Sequence, residues 1–403
     1  GMKVMQDFEK ELSKYIAELN KASKDSNINN AMNRAVKSYR NNVANAMEKY
    51  PHTIELAKEV RKIKEFSVKN NKDLLDKAIE AIESNKGKGY YARDREEVLK
   101  ILSQIIGTGK VIVKGKSMLG EELQLRHGLE EIGNEVWETD LGEFILQLKD
   151  DKPMHILSPA IHVPREQVAE IFTEFFKKDI PPDIAEEVRA VREFLREKYF
   201  TADVGISGAN VVAADTGQVV IIENEGNIRL CTGAPPVHIV LVGIEKLVPT
   251  FLDAMKVAEV TWRFANYTAP SYVNIISGPS KTGDIEKVTT YGAHGPKEFH
   301  VIFVDNGRSK MMENDDFAQA SHCLRCGGCM YECPVFQITA GHYGRIYLSG
   351  IGSVWTSFVD GGVDAAAPML YTCLRCGRCV ERCPMGIDVP SMVGLLRNQA
   401  ISE

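Results

Sequence analysis

A twelve-residue cysteine motif occurs twice in this chain and constrains its fold more than any other feature. CLRCGGCMYECP begins at Cys323, and CLRCGRCVERCP begins at Cys373. Each copy has the spacing Cys-x2-Cys-x2-Cys-x3-Cys-Pro, which is the bacterial ferredoxin pattern for [4Fe–4S] ligation. The sequence therefore predicts a region that folds around two [4Fe–4S] clusters. The predicted cluster-binding residues are Cys323, Cys326, Cys329, Cys333, Cys373, Cys376, Cys379 and Cys383.

The fourth cysteine of each copy precedes a proline, and this order predicts crossed ligation. Three cysteines spaced by two residues reach three corners of one cluster, whereas a proline that starts a helix carries the fourth cysteine away. In two-cluster ferredoxins the fourth cysteine binds the other cluster. We expect one cluster to be held by Cys323, Cys326, Cys329 and Cys383, and the other by Cys373, Cys376, Cys379 and Cys333. The alternative keeps each copy on its own cluster.

Zinc and disulfides fit the cysteine pattern less well. Structural zinc usually takes two separate Cys-x2-Cys pairs, so a third cysteine in the same run has no role there. Disulfides are disfavoured in a reducing compartment. We therefore predict no zinc.

The arginines of the two copies differ in number. The first copy contains Arg325, whereas the second contains Arg375, Arg378 and Arg382. Positive charge beside an anionic cluster favours its reduced state, so we expect the second copy's cluster to have the higher reduction potential. Arginines that are solvated or contact a partner are the alternative.

The composition argues against several classes of protein. The 403 residues carry a formal net charge of −6 and no block of Lys and Arg, so no nucleic-acid surface is predicted. No stretch approaches the roughly 18 apolar residues of a transmembrane segment. The N-terminus lacks the apolar core of a signal peptide. We therefore expect a cytoplasmic protein.

The chain divides by pattern into three regions. Residues 1–100 show apolar residues at helical spacing and predict an N-terminal helical region, with the charged residues of KEVRKIKEF on a solvated face. Residues 101–310 alternate short apolar runs with longer amphipathic stretches and predict an α/β domain. Residues 311–403 contain the cysteine motifs. Strands are expected at VIV from Val111, HIL from His155, VVII from Val219, HIVLVGI from His238 and HVIFV from His300.

Nucleotide-binding signatures are incomplete. Five residues separate Gly109 from Gly115 where a P-loop requires four. No Gly-x-Gly-x-x-Gly fingerprint occurs, so we predict no NAD site.

Polar residues at the ends of predicted strands form a candidate ligand site. ENEGN, from Glu223, follows an apolar strand, and open α/β sheets bind their ligands at such ends. The candidate residues are Lys116, Ser117, Asn210, Glu223, Asn224, Glu225, Asn227, Ser280, Lys281 and Asp284. If they converge, they suit a small anionic ligand. A turn network that satisfies its own backbone is the alternative. No catalytic residue is assigned.

Several phrases of the α/β region, combined with the cysteine motifs, resemble one family. They are ETDLGEFILQL from Glu138, HILSPAIHVPRE from His155, ADVGISGANVVAADTG from Ala202, NEGNIRL from Asn224, GIEKLVP from Gly243 and DNGRS from Asp305. Over nearly the whole chain, the sequence resembles the iron–sulfur subunit of the L-lactate utilisation complex, the LutB family.

The resemblance implies a fold and an activity. The implied fold is an N-terminal helical region, an α/β domain similar to the CoA-transferase and ribose-5-phosphate isomerase group, and a C-terminal α-helical ferredoxin domain. The implied activity is NAD-independent oxidation of L-lactate to pyruvate. The implied partners are a cysteine-rich subunit and a smaller α/β subunit.

Three functional hypotheses follow. The leading one is an electron-transfer subunit that relays electrons through two clusters and needs its partners for lactate oxidation. The second gives the α/β domain its own acyl or ligand chemistry at Glu223 or Glu225, by analogy of fold alone. The third is a ferredoxin-like subunit of another redox complex, acting on disulfides or glycolate.

Overall fold

The computed structural model describes the backbone of residues 2–402 and the side chains of residues 9–400. The chain begins with four helices, α1 (Met2–Ser23), α2 (Ser26–Lys49), α3 (His52–Lys69) and α4 (Asn71–Ser84). On α3, the buried residues recur every three or four positions, as in an amphipathic helix. They are Thr53, Ala57, Val60, Lys64 and Ser67. Lys64 is therefore buried, although the sequence placed this charged stretch on a solvated face.

A six-stranded parallel sheet forms the centre of the α/β domain, in the order β1-β12-β7-β4-β2-β3. Its strands are β1 (Lys88–Ala92), β2 (Val111–Lys114), β3 (Glu135–Glu138), β4 (Val204–Ser207), β7 (Val237–Gly243) and β12 (Glu298–Val304). Val301, Ile302 and Phe303 are fully buried, as in a parallel sheet covered on both faces.

Helices connect the strands and cover the sheet. They are α5 (Arg95–Ile106), α6 (Met118–Glu122), α7 (Leu125–Glu131), α8 (Leu141–Lys149), α9 (Arg165–Phe176), α10 (Ile184–Thr201), α11 (Asn227–Gly233) and α12 (Phe251–Phe264). A short 3₁₀ helix, Ile244–Lys246, follows β7.

A second, four-stranded sheet has the order β8-β5-β6-β9. Its strands are β5 (Val211–Ala213), β6 (Val219–Glu223), β8 (Leu247–Val248) and β9 (Tyr272–Ile276). β9 runs antiparallel to β6, with Glu223 opposite Tyr272 and Val219 opposite Ile276. A small hairpin follows, made of β10 (Lys281–Thr282) and β11 (Thr290–Tyr291).

The C-terminal region is helical. Its elements are α13 (Arg308–Met312), a 3₁₀ helix (Ala318–His322), α14 (Gly328–Glu332), α15 (Pro334–Thr339), a 3₁₀ helix (Ala340–His342), α16 (Ser349–Val359), α17 (Gly362–Thr372), α18 (Arg378–Arg382) and α19 (Val389–Ser402). The glycine-rich connection between the cysteine motifs forms α16 and α17. Gly361 and Gly362, at φ 91° and 78°, separate these two helices in a conformation that glycine adopts readily.

The N-terminal helices support the C-terminal region instead of forming a separate unit. Tyr39 of α2 stacks on Tyr331 at a centroid distance of 4.5 Å. The neighbouring Arg40 forms an ion pair with Glu332 at 2.7 Å. The N-terminal helices and the C-terminal region therefore pack against each other at the cysteine motifs.

The predicted fold class is confirmed. Of the five predicted strands, four are strands in the structure and the prediction of the fifth is wrong. The strands at Val111, Val219, His238 and His300 correspond to β2, β6, β7 and β12. The HIL segment from His155 is a loop instead, because it packs under the first cysteine motif, where the His155 ring stacks on Tyr331 at 4.4 Å.

Two boundaries also differ from the sequence expectation. The α/β domain takes its first strand, β1, from Lys88–Ala92, so the boundary expected at residue 100 falls inside α5. Pro334 starts α15 as expected, whereas Pro384 begins a turn and the next helix starts at Val389.

None of the helices in the described part of the chain combines the length and apolar character that a membrane crossing requires.

Candidate functional site

The two cysteine motifs fold in the same way. Arg325 and Gly327 have φ values of 61° and 77°, and the matching Arg375 and Gly377 have 54° and 81°. A non-glycine residue rarely adopts such a left-handed conformation, and here it occurs at the same place in both copies. The chain therefore curls twice within each loop before entering α14 or α18, and this curl turns the first three cysteines of each motif inward.

The fourth cysteine of each motif lies with the other motif. A first cavity, of about 40 Å³, is lined by Cys323, Cys326, Cys329, Cys379 and Cys383. A second cavity, of about 20 Å³, is lined by Cys329, Cys333, Cys373, Cys376 and Cys379. Cys383 thus faces the first motif's cavity and Cys333 the second motif's cavity. Because Cys329 and Cys379 line both, the two cavities are neighbours.

The chemistry of these cysteines fits iron–sulfur clusters. Burial, together with a smaller effect of the nearby Cys383, raises the pKa of Cys326 to about 12. Burial likewise raises the pKa of Cys379 to about 12 and that of Cys333 to about 11. Crowded, buried thiols of this kind ionise only beside a positive charge, which iron supplies.

The arrangement differs from a site for one ion. Among the described residues, no three His, Cys, Asp or Glu side chains converge closely enough for a single metal ion. A four-iron cluster spreads its thiolate ligands around a larger space, and the cysteines surround two such spaces.

The first cavity is more shielded than the second. His155, which is fully buried, packs so closely under the first loop that a Cβ at Gly327 would lie 3.2 Å from its ring. In the second motif, Cys376 is exposed. The second cysteine group therefore reaches the surface at Cys376, whereas the cysteines that line the first cavity are all at least partly buried.

Cationic side chains gather beside the first cavity. The guanidinium of Arg325 lies 3.9 Å from the ring centre of Trp355 and 4.4 Å from that of Tyr347. Lys64 donates a hydrogen bond of 2.6 Å to the carbonyl of Glu245. Lys246 follows Glu245 directly, and both lysines are close enough to Cys323 to interact electrostatically.

A larger pocket, of about 320 Å³, adjoins the first cavity. It lies at the carboxyl ends of β2, β4, β6 and β7, where open α/β sheets bind ligands. Ile156, Arg325 and Tyr347 line both the pocket and the first cavity, so these side chains border both spaces. We call it the strand-end pocket.

Seven of the ten predicted ligand-site residues line the strand-end pocket, and three do not. The seven are Lys116, Ser117, Asn210, Glu223, Asn224, Glu225 and Asn227. Ser280, Lys281 and Asp284 lie elsewhere, which corrects the expectation that all ten converge. The reason is strand direction: because β9 is antiparallel to β6, the residues after β9 lie at the opposite end from Glu223.

Part of the pocket wall is a turn network, as the alternative interpretation proposed. Glu223 accepts hydrogen bonds from the backbone N–H groups of Ile228 (3.0 Å) and Arg229 (2.8 Å) and from the Asn274 amide (2.6 Å). The Asn224 side chain accepts one from Ser271 N–H at 2.9 Å. These two side chains therefore hold the loop in shape.

Glu225 has a different environment. Removal of water within the pocket raises the pKa of Glu225 to about 7, and the negative charge of Asp140 adds to this shift. Its carboxylate accepts a long hydrogen bond of 3.4 Å from Leu141 N–H.

A buried ionic network closes one side of the pocket. Arg308 donates to Glu122 at 2.7 and 2.9 Å and to Glu245 at 2.7 Å, and each of these side chains is at most 3% exposed. The Tyr347 hydroxyl also donates to Glu122. The network joins the α/β domain to the C-terminal region. Sequence analysis did not find Arg308, Lys246 or Lys64, although Lys64 repeats the buried spacing of α3.

Comparison with known proteins identifies the class and then the family. A family model described as "4Fe-4S dicluster domain" matches residues 319–387, so the C-terminal region belongs to the two-cluster iron–sulfur class. A second model, described as "LUD domain", matches residues 75–304. Since the second match covers more than half of the sequence, the chain belongs to the LUD-domain family.

Curated relatives confirm the resemblance seen in the sequence. "Lactate utilization protein B" of Shouchella clausii (strain KSM-K16) is 39% identical over 295 residues, which are 71% of this chain and 60% of that protein. The proteins of the same name from Anoxybacillus flavithermus (strain DSM 21510 / WK1) and Bacillus thuringiensis (strain Al Hakam) are each 36% identical. They align with 74% and 76% of this chain and with 62% and 63% of their own lengths. The chain thus spans somewhat over half the length of these relatives.

A solved structure also aligns with the chain. The crystal structure of a DUF162 family protein from Deinococcus radiodurans is 13% identical and covers 58% of this chain and 98% of its own, with a TM-score of 0.32.

Proposed function

We propose that this chain is the iron–sulfur electron-transfer subunit of a complex that oxidises L-lactate, or a related 2-hydroxy acid, without NAD. The observation that carries the proposal is the pair of neighbouring cysteine-lined cavities, in a chain whose relatives are named for lactate utilisation. Oxidation of lactate to pyruvate releases two electrons and two protons. Two bound [4Fe–4S] clusters supply two one-electron sites close together.

The proposed ligand sets are crossed. Cys323, Cys326, Cys329 and Cys383 would hold the first cluster, and Cys373, Cys376, Cys379 and Cys333 the second. Support comes from the cavities, because Cys333 is absent from the first cavity's lining and Cys383 from the second's. The role of the chain is to hold both thiolate sets at fixed positions and to keep water from the first.

The proposed partners are a cysteine-rich subunit and a smaller α/β subunit, in the cytoplasm. The chain then needs these partners to oxidise lactate, and neither NAD nor zinc takes part. Co-purification with the two partners, followed by an anaerobic assay of several 2-hydroxy acids, tests this. Activity with an artificial one-electron acceptor is expected. NAD reduction by this chain alone would contradict the proposal.

The metal content of the isolated chain gives a direct test. Anaerobically reconstituted protein is expected to contain about eight iron and about eight sulfide per chain, since each [4Fe–4S] cluster contains four of each. Iron and acid-labile sulfide analysis measures this. Stoichiometric zinc without labile sulfide would contradict it.

The positions of the cations favour the opposite order of reduction potentials from the one expected from the sequence. In the second motif, Arg375 and Arg378 are exposed to solvent and Arg382 is paired with Glu332. Buried charges are screened less than exposed ones, so Lys246 and Arg325 favour reduction of the first cluster more strongly. We therefore expect the first cluster to have the higher potential.

A redox titration followed by electron paramagnetic resonance tests this order. Cys376→Ser removes a ligand of the second cluster, and Cys326→Ser removes one of the first. The cluster that remains in Cys376→Ser should titrate at the higher potential. The opposite order would restore the expectation from the sequence.

The alternative hypothesis, acyl or ligand chemistry at Glu223 or Glu225, is less well supported. Three hydrogen bonds already occupy the Glu223 carboxylate, so it is poorly placed to attack a substrate. Glu225→Gln is the sharper test. Unchanged lactate oxidation by a complex with intact clusters would remove the alternative.

A further inference from the structure

The strand-end pocket is lined by three cationic side chains that form no ion pair with any described residue. Lys116, Lys246 and Arg325 all line it. Within the described residues, neither lysine side chain forms a hydrogen bond or ion pair, and Arg325 contacts only the rings of Tyr347 and Trp355. Cations gathered without partners repel one another, so an anion that enters the pocket is stabilised.

The acidic residues of the pocket have hydrogen-bond or ion-pair partners of their own. Glu245 is paired with Arg308, and Glu223 accepts three hydrogen bonds from N–H groups. Asp140 caps α8 by accepting from Glu143 N–H at 3.1 Å. Beside the first cavity, Lys246 and Arg325 stand together with Arg308, whose two carboxylate partners are Glu122 and Glu245. Three cations therefore face two carboxylates, so this wall has an excess of positive charge.

Other residues of the same pocket lining offer groups for a neighbouring oxygen atom. Lys116 is close enough to Glu225 to interact with its charge. Asn210 uses its side-chain oxygen to accept from Ile222 N–H at 2.8 Å, which leaves its amide nitrogen as a donor. A ligand with an anionic end and an adjacent hydroxyl or carbonyl oxygen matches this arrangement.

We propose that the strand-end pocket binds a small monocarboxylate with an oxygen on the adjacent carbon, that is, a 2-hydroxy or 2-oxo acid. Lys246 and Arg325 hold the carboxylate, and the side with Lys116 and Asn210 holds the second oxygen. A pocket of about 320 Å³ accommodates such an acid together with ordered water. The anion site rests on the charges, whereas the choice of acid rests on the function proposed above.

The position of the pocket gives the proposal its functional meaning. Since Ile156, Arg325 and Tyr347 line both spaces, a bound acid lies one layer of side chains from the first cysteine group. Arg325, which belongs to the first cysteine loop, would contact the bound acid directly.

Calorimetric titration of the anaerobically reconstituted full chain tests the proposal. Sodium L-lactate and sodium pyruvate are added at constant ionic strength, and lactamide serves as the uncharged analogue. We expect saturable binding of both acids and none of lactamide. Lys246→Gln and Lys116→Gln should each weaken binding about tenfold or more, since each removes a charged hydrogen-bond donor.

Lys281→Gln is the matched control. Lys281 is exposed and lies on β10, outside the strand-end pocket, so its removal should leave affinity unchanged. The iron content and visible spectrum of every variant show whether it has folded around its clusters. Lys116 follows β2 and belongs to neither cysteine motif, so Lys116→Gln keeps the test decisive if Lys246→Gln fails to fold.

Three results would overturn the inference: no saturable binding to wild type, equal binding of lactamide, or unchanged affinity in both pocket variants. If the chain contains its clusters and binds no acid, this inference fails while the electron-transfer proposal stands. If reconstitution yields no clusters, the electron-transfer proposal fails. The binding measurement then still tests whether the strand-end pocket binds the acid.

Discussion

Removing Cys333 should damage the second motif's cluster, although Cys333 belongs to the first motif. Cys333 lines the second cavity together with Cys373, Cys376 and Cys379, and it is absent from the lining of the first. Cys333→Ser is therefore expected to lose or alter the second cluster and to spare the first. Anaerobic iron analysis and electron paramagnetic resonance measure the effect.

Double variants assign the damaged cluster without reference spectra. Cys376 binds the second cluster and Cys326 the first under either ligation scheme. Crossed ligation predicts that Cys333→Ser with Cys376→Ser retains about four iron, because both changes strike one cluster. It predicts that Cys333→Ser with Cys326→Ser retains almost none. The reverse pattern would show that each motif binds its own cluster.

Strong local patterns predicted the class of fold and the cysteine groups. The cysteine spacing is dictated by cluster geometry, so it is visible without knowledge of the rest of the chain. The strands at His238 and His300 were predicted because buried parallel strands are continuous apolar runs. The same rule failed at His155, whose apolar neighbours are buried by the first cysteine motif and not by a sheet.

Features that depend on distant contacts were not predicted. Lys64 shares the buried face of α3 with Val60 and Ser67, and its spacing alone signals burial. The lysine side chain nevertheless argued for exposure, because its burial requires a hydrogen-bond acceptor, and that acceptor, the Glu245 carbonyl, is distant in the sequence. Ser280 and Lys281 were misplaced for a similar reason, because the direction of β9 is set by its pairing with β6.

The strand-end pocket contains some residues that a local pattern predicted and others that only distant contacts bring together. Its acidic and amide residues follow β6 directly and were predicted from a local turn signal. Arg325 and Lys246 reach it from a cysteine loop and from the turn after β7, which are about 80 residues apart in the sequence. Only the packing of the C-terminal region on the α/β domain brings them together.

The loss of Arg308 should destabilise this packing strongly. Arg308 is 1% exposed and forms ion pairs of 2.7 Å with both Glu122 and Glu245. Burial opposes ionisation of Glu245, yet Arg308, with Lys246 and Arg325, holds the pKa of Glu245 at about 2. Arg308→Met leaves two carboxylates buried without their partner. Breaking a buried pair in this way costs about 3–5 kcal/mol of the free energy of unfolding.

Urea denaturation under anaerobic conditions, followed by circular dichroism, measures the loss. Arg189→Ala is the control, because its ion pair with Glu186 (3.1 Å) is exposed and should contribute at most about 1 kcal/mol. The triple variant Arg308→Met, Glu122→Gln, Glu245→Gln should recover part of the stability, since the two carboxylates that lost Arg308 are then neutral. If Arg308→Met were no worse than Arg189→Ala, the network would not hold the α/β domain to the C-terminal region. In that case, water or other donors would have to form hydrogen bonds with Glu122 and Glu245 in the absence of Arg308.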